Sequence, residues 1–296
     1  VAAREQGKDL LVDFTGSDWC PPCMRLHDEV LSQKVFMNAA SEHFVLVALD
    51  FPKREKAMAK VPNPERNQQV AQRFKITGYP TVLLMTVDGE VFGRTGYQKG
   101  GPAAYVTHIG ELRAPAVKVR ARVERLVADY SAARGEARDE VLGRIIAELE
   151  GFPDAPYRAA LVGPLRKAAA RGESAIRKRA VRALTTAGKV DADVLAAAVE
   201  LDPLNAEGLY LGTLLSLLEG VGDEEQVAGA AHAIDAFFQA GITVPDDDAL
   251  GLYVNAAWWF DNFLDDSQRA KRYAKLGLAL AKEEEYKDFF RGILDD

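Results

Sequence analysis

The chain has 296 residues, a net charge of −7 and two cysteines. Its length suits two domains, each large enough to bury a core, and no run of about 18 apolar residues is present to span a membrane. Basic and acidic residues number 14 and 13 through Arg113, 16 and 9 from Ala114 to Lys189, and 0 and 16 from Val190 to Gln268, so the basic footprint that a nucleic-acid partner needs is missing.

Residues 9–15 form a short apolar run that reads as a buried strand. Residues 21–40 read as a helix with Pro21 and Pro22 in its first turn, where a missing N–H costs least. His43 to Asp50 reads as a second buried strand, and a helix between two such strands implies a parallel crossover. Phe51 to Pro64 looks like a surface insertion carrying Lys53, Arg54, Lys56 and Lys60. A short helix over Glu65–Lys75, a strand over Thr81–Val87, a turn at Asp88-Gly89, a strand over Glu90–Gly96 and a helix to about Arg113 complete the pattern.

At the junction of the first strand and helix stands Trp19-Cys20-Pro21-Pro22-Cys23. Within a βαβ pattern, a Cys-x-x-Cys pair is a redox motif. Cys20 falls at the helix N-cap, where unpaired N–H groups and the dipole favour a thiolate, the species that attacks disulfides. Because Pro21 and Pro22 lack N–H groups, the Cys23 amide is the nearest backbone donor left for the Cys20 sulfur. Asp18 disfavours the thiolate, whereas Arg25 and the helix dipole favour it, which suggests a reductase or isomerase potential. Cys20, expected to be the more exposed, is the candidate nucleophile, and Cys23 the resolving thiol. Zinc would need four ligands, and Cys20, Cys23 and His27 supply three. A covalent haem would need histidine where Met24 stands. The chemistry therefore calls for no metal and no bound organic cofactor.

The order βαβαββα, together with Val12-Asp13-Phe14, the Trp-Cys-Pro-Pro-Cys segment and Thr77-Gly78-Tyr79-Pro80-Thr81, resembles the thioredoxin-like superfamily. The run Phe14-Thr15-Gly16-Ser17-Asp18-Trp19-Cys20 is similar to the secreted bacterial thiol:disulfide oxidoreductase branch. The resemblance covers residues 1–114 and implies an α/β thioredoxin fold acting on protein or peptide disulfides, reset by an upstream dithiol reductant. It implies that Asp13 relays the Cys23 proton, although one more residue separates this acid from the dithiol than in thioredoxin; an Asp at a solvent-facing strand edge is the alternative. It also implies that Pro80 is cis and that the Tyr79 backbone binds a substrate segment as an added strand; an ordinary trans proline at a strand start is the alternative. Trp19, Pro21 and Pro22 would frame the substrate-facing surface, though Trp19 fits a core position nearly as well. The secreted resemblance implies an extracytoplasmic, periplasmic location. Val1 to Lys8 is polar and lacks an apolar signal core, and a start at Val fits a processed form and a trimmed one alike.

From residue 115 to 296 the sequence reads as an all-helical, solenoid-like domain that binds partners. Its helices are expected at 116–134, 137–150, 155–171, 173–187, 191–201, 205–219, 223–240, 247–264, 267–282 and 284–293. Leu201-Asp202-Pro203-Leu204-Asn205-Ala206 with Tyr210 resembles a tetratricopeptide-type hinge, without a clean repeat of about 34 residues. Trp258, Trp259, Phe260 and Phe263 read as helical core. The basic patch from Arg166 to Arg182 reads as a solvated face complementary to the acidic region. A second reading of the whole chain stays open: an interaction protein whose helical domain does the work and whose dithiol is a redox-sensitive latch.

Overall fold

The computed structural model describes residues 2–151 and 156–295. The first part of the chain runs α1 (Ala2–Gln6), β1 (Asp9–Thr15), α2 (Pro21–Leu26), a π-helical turn (His27–Leu31), α3 (Lys34–Ser41), β2 (Phe44–Asp50), α4 (Glu55–Met58), α5 (Pro64–Arg73), β3 (Thr81–Met85), β4 (Val91–Thr95) and α6 (Gly101–Ala132). The sheet order is β2-β1-β3-β4. β1 and β2 are parallel, with Thr15 opposite Asp50, and β3 is antiparallel to both β1 and β4. This is the α/β thioredoxin fold that the resemblance implies.

Alternation along the strands builds a core on each face of the sheet. Leu11, Val82 and Leu84 point to one side, where Leu26, Val30, Phe36, Tyr105 and Ile109 meet them. Val12, Phe14, Leu83 and Met85 point to the other, with Ala71 of α5. Burial on both faces explains why these strands read as nearly continuous apolar runs.

Two helix expectations are corrected. The helix expected over 21–40 is interrupted: after the π turn, where Ser32 N–H donates to the His27 carbonyl at 2.9 Å, Gln33 is extended and α3 starts afresh. The Gln33 side-chain amide and the Ser32 hydroxyl both donate to the Asp28 carbonyl, so side chains compete there for a backbone acceptor. Conversely, the two helices expected to meet near residue 114 are one. α6 passes through Pro115, which local propensity would make a stop, because burial of Ala116, Val123, Leu126 and Tyr130 rewards continuing.

Only helices follow among the described residues: α7 (Glu136–Gly151), α8 (Ala159–Ala170), α9 (Ser174–Thr186), α10 (Ala192–Leu201), α11 (Leu209–Glu219), α12 (Glu224–Gln239), α13 (Asp246–Asn262), α14 (Ser267–Leu280) and α15 (Glu284–Asp295). The start expected at 155 lies outside the described residues. The chain divides into two compact units, one running through Ala132 and including the stretch that ends at Leu161, the other comprising Ala133–Gly151 and Val162 onward. None of the helices described is long and apolar enough to cross a membrane.

Within the second unit the core gathers Phe237, Leu252, Phe260, Tyr273 and Phe290. Trp258 and Phe263 are exposed instead of core, so the expected aromatic cluster is only partly buried. At the hinge between α10 and α11 the Asp202 carboxylate accepts from the Glu207 and Leu209 N–H groups, and Asn205 is left-handed at φ 55°. The basic face of this unit is complementary to the acidic stretch: Arg166 pairs with Asp191, Arg177 with Glu200, and Lys178 and Arg182 with Glu207.

Candidate active site

The site lies where β1 and β2 end side by side, the place at which parallel strands leave a crevice for ligands. β1 is ladder-paired through Thr15, and a turn over Gly16–Trp19 follows, closed by Cys20 N–H donating to the Gly16 carbonyl at 3.0 Å. The extra residue noted between Asp13 and the dithiol is taken up in this turn, so the strand stays regular. Ser17 ties the turn to the end of β2, its N–H and hydroxyl donating to Asp50 at 2.9 and 2.6 Å. The Asp18 carboxylate accepts from the Lys53 N–H at 3.0 Å and the Arg54 N–H at 2.7 Å. Those bonds, that to Lys53 foremost, hold its carboxyl below the usual carboxylate range.

Cys20 caps α2, with Pro21 opening its first turn. Cys20 and Cys23 are joined by a disulfide, their Cα atoms 5.3 Å apart. The Cys23 N–H donates to the Cys20 Sγ at 3.3 Å, the arrangement that two consecutive prolines leave. Among the described residues Arg25 forms no salt bridge; its guanidinium sits over the Tyr97 ring, 5.3 Å from the centroid.

Asp13 is in an interior strand of the sheet and 7% exposed, so it does not face solvent at an edge. Its Oδ1 has no hydrogen-bond partner among the described residues. Burial, reinforced by the negative charge of Asp50, raises its carboxyl to about 7. A cavity of about 550 Å³ opens beside it, lined by Asp13, Cys23, Met24, His27, Leu46 and others. The cavity thus brings Asp13 and Cys23 to one space.

On the other side of the dithiol turn, the Trp19 and Tyr79 rings meet edge to face at 5.6 Å. Phe51 completes the cluster, 5.3 Å from Tyr79, and its carbonyl accepts from the Trp19 indole N–H at 2.7 Å. The Tyr79–Pro80 bond is cis.

Residues 1–106 match the family model described as a thioredoxin-like domain. The N-terminal domain is thioredoxin-like. The chain is 31% identical over 107 residues to the disulfide bond reductase DsbH of Chlamydia pneumoniae, which covers 36% of this chain and 63% of that protein. It is 30% identical over 94 residues to the thioredoxin-related protein DsbJ of the same organism, covering 32% of this chain and 26% of the other. A solved structure described as DsbH oxidoreductase is 30% identical, spans 38% of this chain and 76% of that one, and superposes with a TM-score of 0.33. The chain thus spans less than two thirds of the length of either curated relative.

Both cysteines are buried in the disulfide form, Cys20 at 4% accessible and Cys23 at 2%, with the Cys20 sulfur held against the first turn of α2 and its N–H tethered to Gly16. Four contributors were not singled out from the sequence. A Cβ on Gly16 would come within 2.6 Å of the Trp19 ring, and one on Gly96 within 2.8 Å of the Pro80 carbonyl oxygen. Both glycines are therefore needed for close approach. Asp50 and Phe51 are the other two. The pattern offered a signal for them, since residues at the end of a parallel neighbour strand must lie beside the end of β1.

Proposed function

We propose that this chain is a thiol–disulfide oxidoreductase that reduces or isomerises disulfides in proteins or peptides. The observation that carries the reading is a disulfide at the N-cap of α2 whose inner cysteine shares a cavity with a buried carboxyl raised to about 7. The family match and the name of DsbH support the reducing direction.

In the reduced protein, the Cys20 thiolate attacks one sulfur of a substrate disulfide. That bond breaks, a mixed disulfide forms on Cys20, and one substrate thiolate leaves and takes up a proton. Cys23 passes its proton to the Asp13 carboxylate, whose affinity is close enough to a thiol's for transfer near neutral pH. The Cys23 thiolate then attacks the Cys20 Sγ and expels the second substrate thiolate. Two electrons have moved to the substrate, and the Cys20–Cys23 disulfide is reset by an upstream dithiol protein. With the disulfide open, the Cys20 sulfur turns outward at the helix tip. The Tyr79–Pro80 backbone holds the substrate as an added strand, and Trp19, Pro21 and Pro22 frame it. We place the protein outside the cytoplasm, in the periplasm, and assign partner choice to the helices from residue 115 to 296.

One observation favours a second reading. Both cysteines are buried in the disulfide form, as a latch that stabilises an interaction protein would be. Reduction of insulin by the full chain with a dithiol regenerant separates the two. The oxidoreductase loses its rate above background, at least a hundredfold, in Cys20→Ser. A rate unchanged by that substitution supports the latch.

A further inference from the structure

The insertion after β2 carries a charge pattern that the dithiol chemistry does not use. The insertion holds Lys53, Arg54, Lys56 and Lys60 against Glu55, and α5 and its end add Arg66, Arg73 and Lys75 against Glu65, seven basic residues in a chain whose net charge is −7. All seven are exposed. Among the described residues none of them forms a salt bridge, in contrast to the cations of the helical unit, where Arg166, Arg177, Lys178 and Arg182 are each matched by a carboxylate. The Asp18 carboxylate feels the charge of Arg54, and the remaining excess of positive charge in this stretch faces solvent, where it attracts acidic partners.

The position of the insertion is also specific. Asp18, two residues before Cys20, receives the Lys53 and Arg54 N–H groups and fixes the start of the insertion to the dithiol turn. The Lys53 ammonium sits 4.1 Å from the centroid of the Trp19 ring, over the residue that precedes Cys20. Lys56 lies on α4, where Met58 is exposed at 52%, an apolar contact among the cations.

We infer that the insertion, through Lys53, Arg54, Lys56 and Lys60, is an electrostatic docking lip that selects disulfide-bearing protein segments rich in Asp and Glu. The inference rests on the oxidoreductase reading. Unmatched cations beside a reactive dithiol raise the local concentration of acidic partners and their association rate, with a steep salt dependence. Nucleic acid and anionic lipid share the charge but bring no disulfide to the site.

The test uses the full chain, a dithiol regenerant and two peptides, each closed by one disulfide and differing only in flanking Glu against Gln. At low ionic strength the Glu peptide is expected to have a kcat/KM about tenfold higher, mainly through KM, and the preference should shrink towards one at roughly 0.5 M salt. The triple substitution Lys53→Gln, Arg54→Gln, Lys56→Gln should bring the ratio of the two peptides close to one at low salt. Equal turnover of both peptides by the unsubstituted chain, or a preference that survives the triple substitution, overturns the docking lip while leaving the oxidoreductase in place. Turnover of neither peptide overturns the oxidoreductase reading and the lip with it. Tighter binding to duplex DNA or to phosphatidylglycerol vesicles than to the Glu peptide, in the same buffer, overturns the protein partner.

Discussion

Asp13 is where sequence and surroundings pull hardest against each other. A carboxyl in an interior strand, with one oxygen unpartnered among the described residues and Asp50 nearby, binds its proton to about pH 7 instead of the ordinary 3.8. The folded chain therefore holds a proton that the unfolded chain releases between those two values, and folding stability falls as pH rises through this window, by up to about 1.4 kcal/mol per pH unit. Urea unfolding of the disulfide form from pH 4 to 8 should show that decline, and Asp13→Asn should flatten it. Parallel profiles for the two proteins would remove the raised carboxyl from the argument. The apolar run around Asp13 already signalled burial. The charge that adds to it did not show, because Asp50 is 37 residues away in sequence and reaches the site only through the β1–β2 register.

At the scale of elements, strands and their order were readable because alternation with two buried faces leaves a strong periodic trace. Helix limits were less so. Pro115 marks a stop by local rules and is overridden by packing along α6, whereas Ser32 and Gln33 carry no strong stop and still break the helix by capturing a backbone carbonyl. The loops around the dithiol depend on contacts with no local pattern, such as Gly96 against the Pro80 carbonyl. Gly96→Ala should therefore cost about 1–3 kcal/mol through overpacking and slow disulfide reduction. Gly110→Ala, in the interior of α6 with no atom within 4 Å of the added carbon, should instead stabilise by about 0.5–1 kcal/mol. Urea unfolding of both variants checks the pair, and a neutral Gly96→Ala would show that the segment beside the dithiol tolerates displacement.

For the molecule as a whole, the charge asymmetry visible along the chain resolves into two different uses. In the helical unit Arg166, Arg177 and Arg182 are neutralised by Asp191, Glu200 and Glu207, as complementary faces suggested. In the thioredoxin-like domain the cations between Phe51 and Lys75 form no salt bridge among the described residues, which composition alone could not distinguish from a solvated face. Strand signals are lost after residue 113, α6 runs on through that position to Ala132, and the stretch ending at Leu161 belongs to the first compact unit. That placement rests on Tyr157, whose hydroxyl donates to the buried Asp9 carboxylate at 2.9 Å. Nothing in the spacing of residues 9 and 157 announces such a pair.

If a sulfur at the tip of α2 exchanges with the disulfides of other proteins, then removing its resolving neighbour must leave partners attached. Cys23→Ala, exposed to native extract and resolved by non-reducing mass spectrometry, should accumulate mixed disulfides on Cys20 that a dithiol releases. An empty trap, or adducts that form as readily on Cys23 in Cys20→Ala, would contradict the assignment.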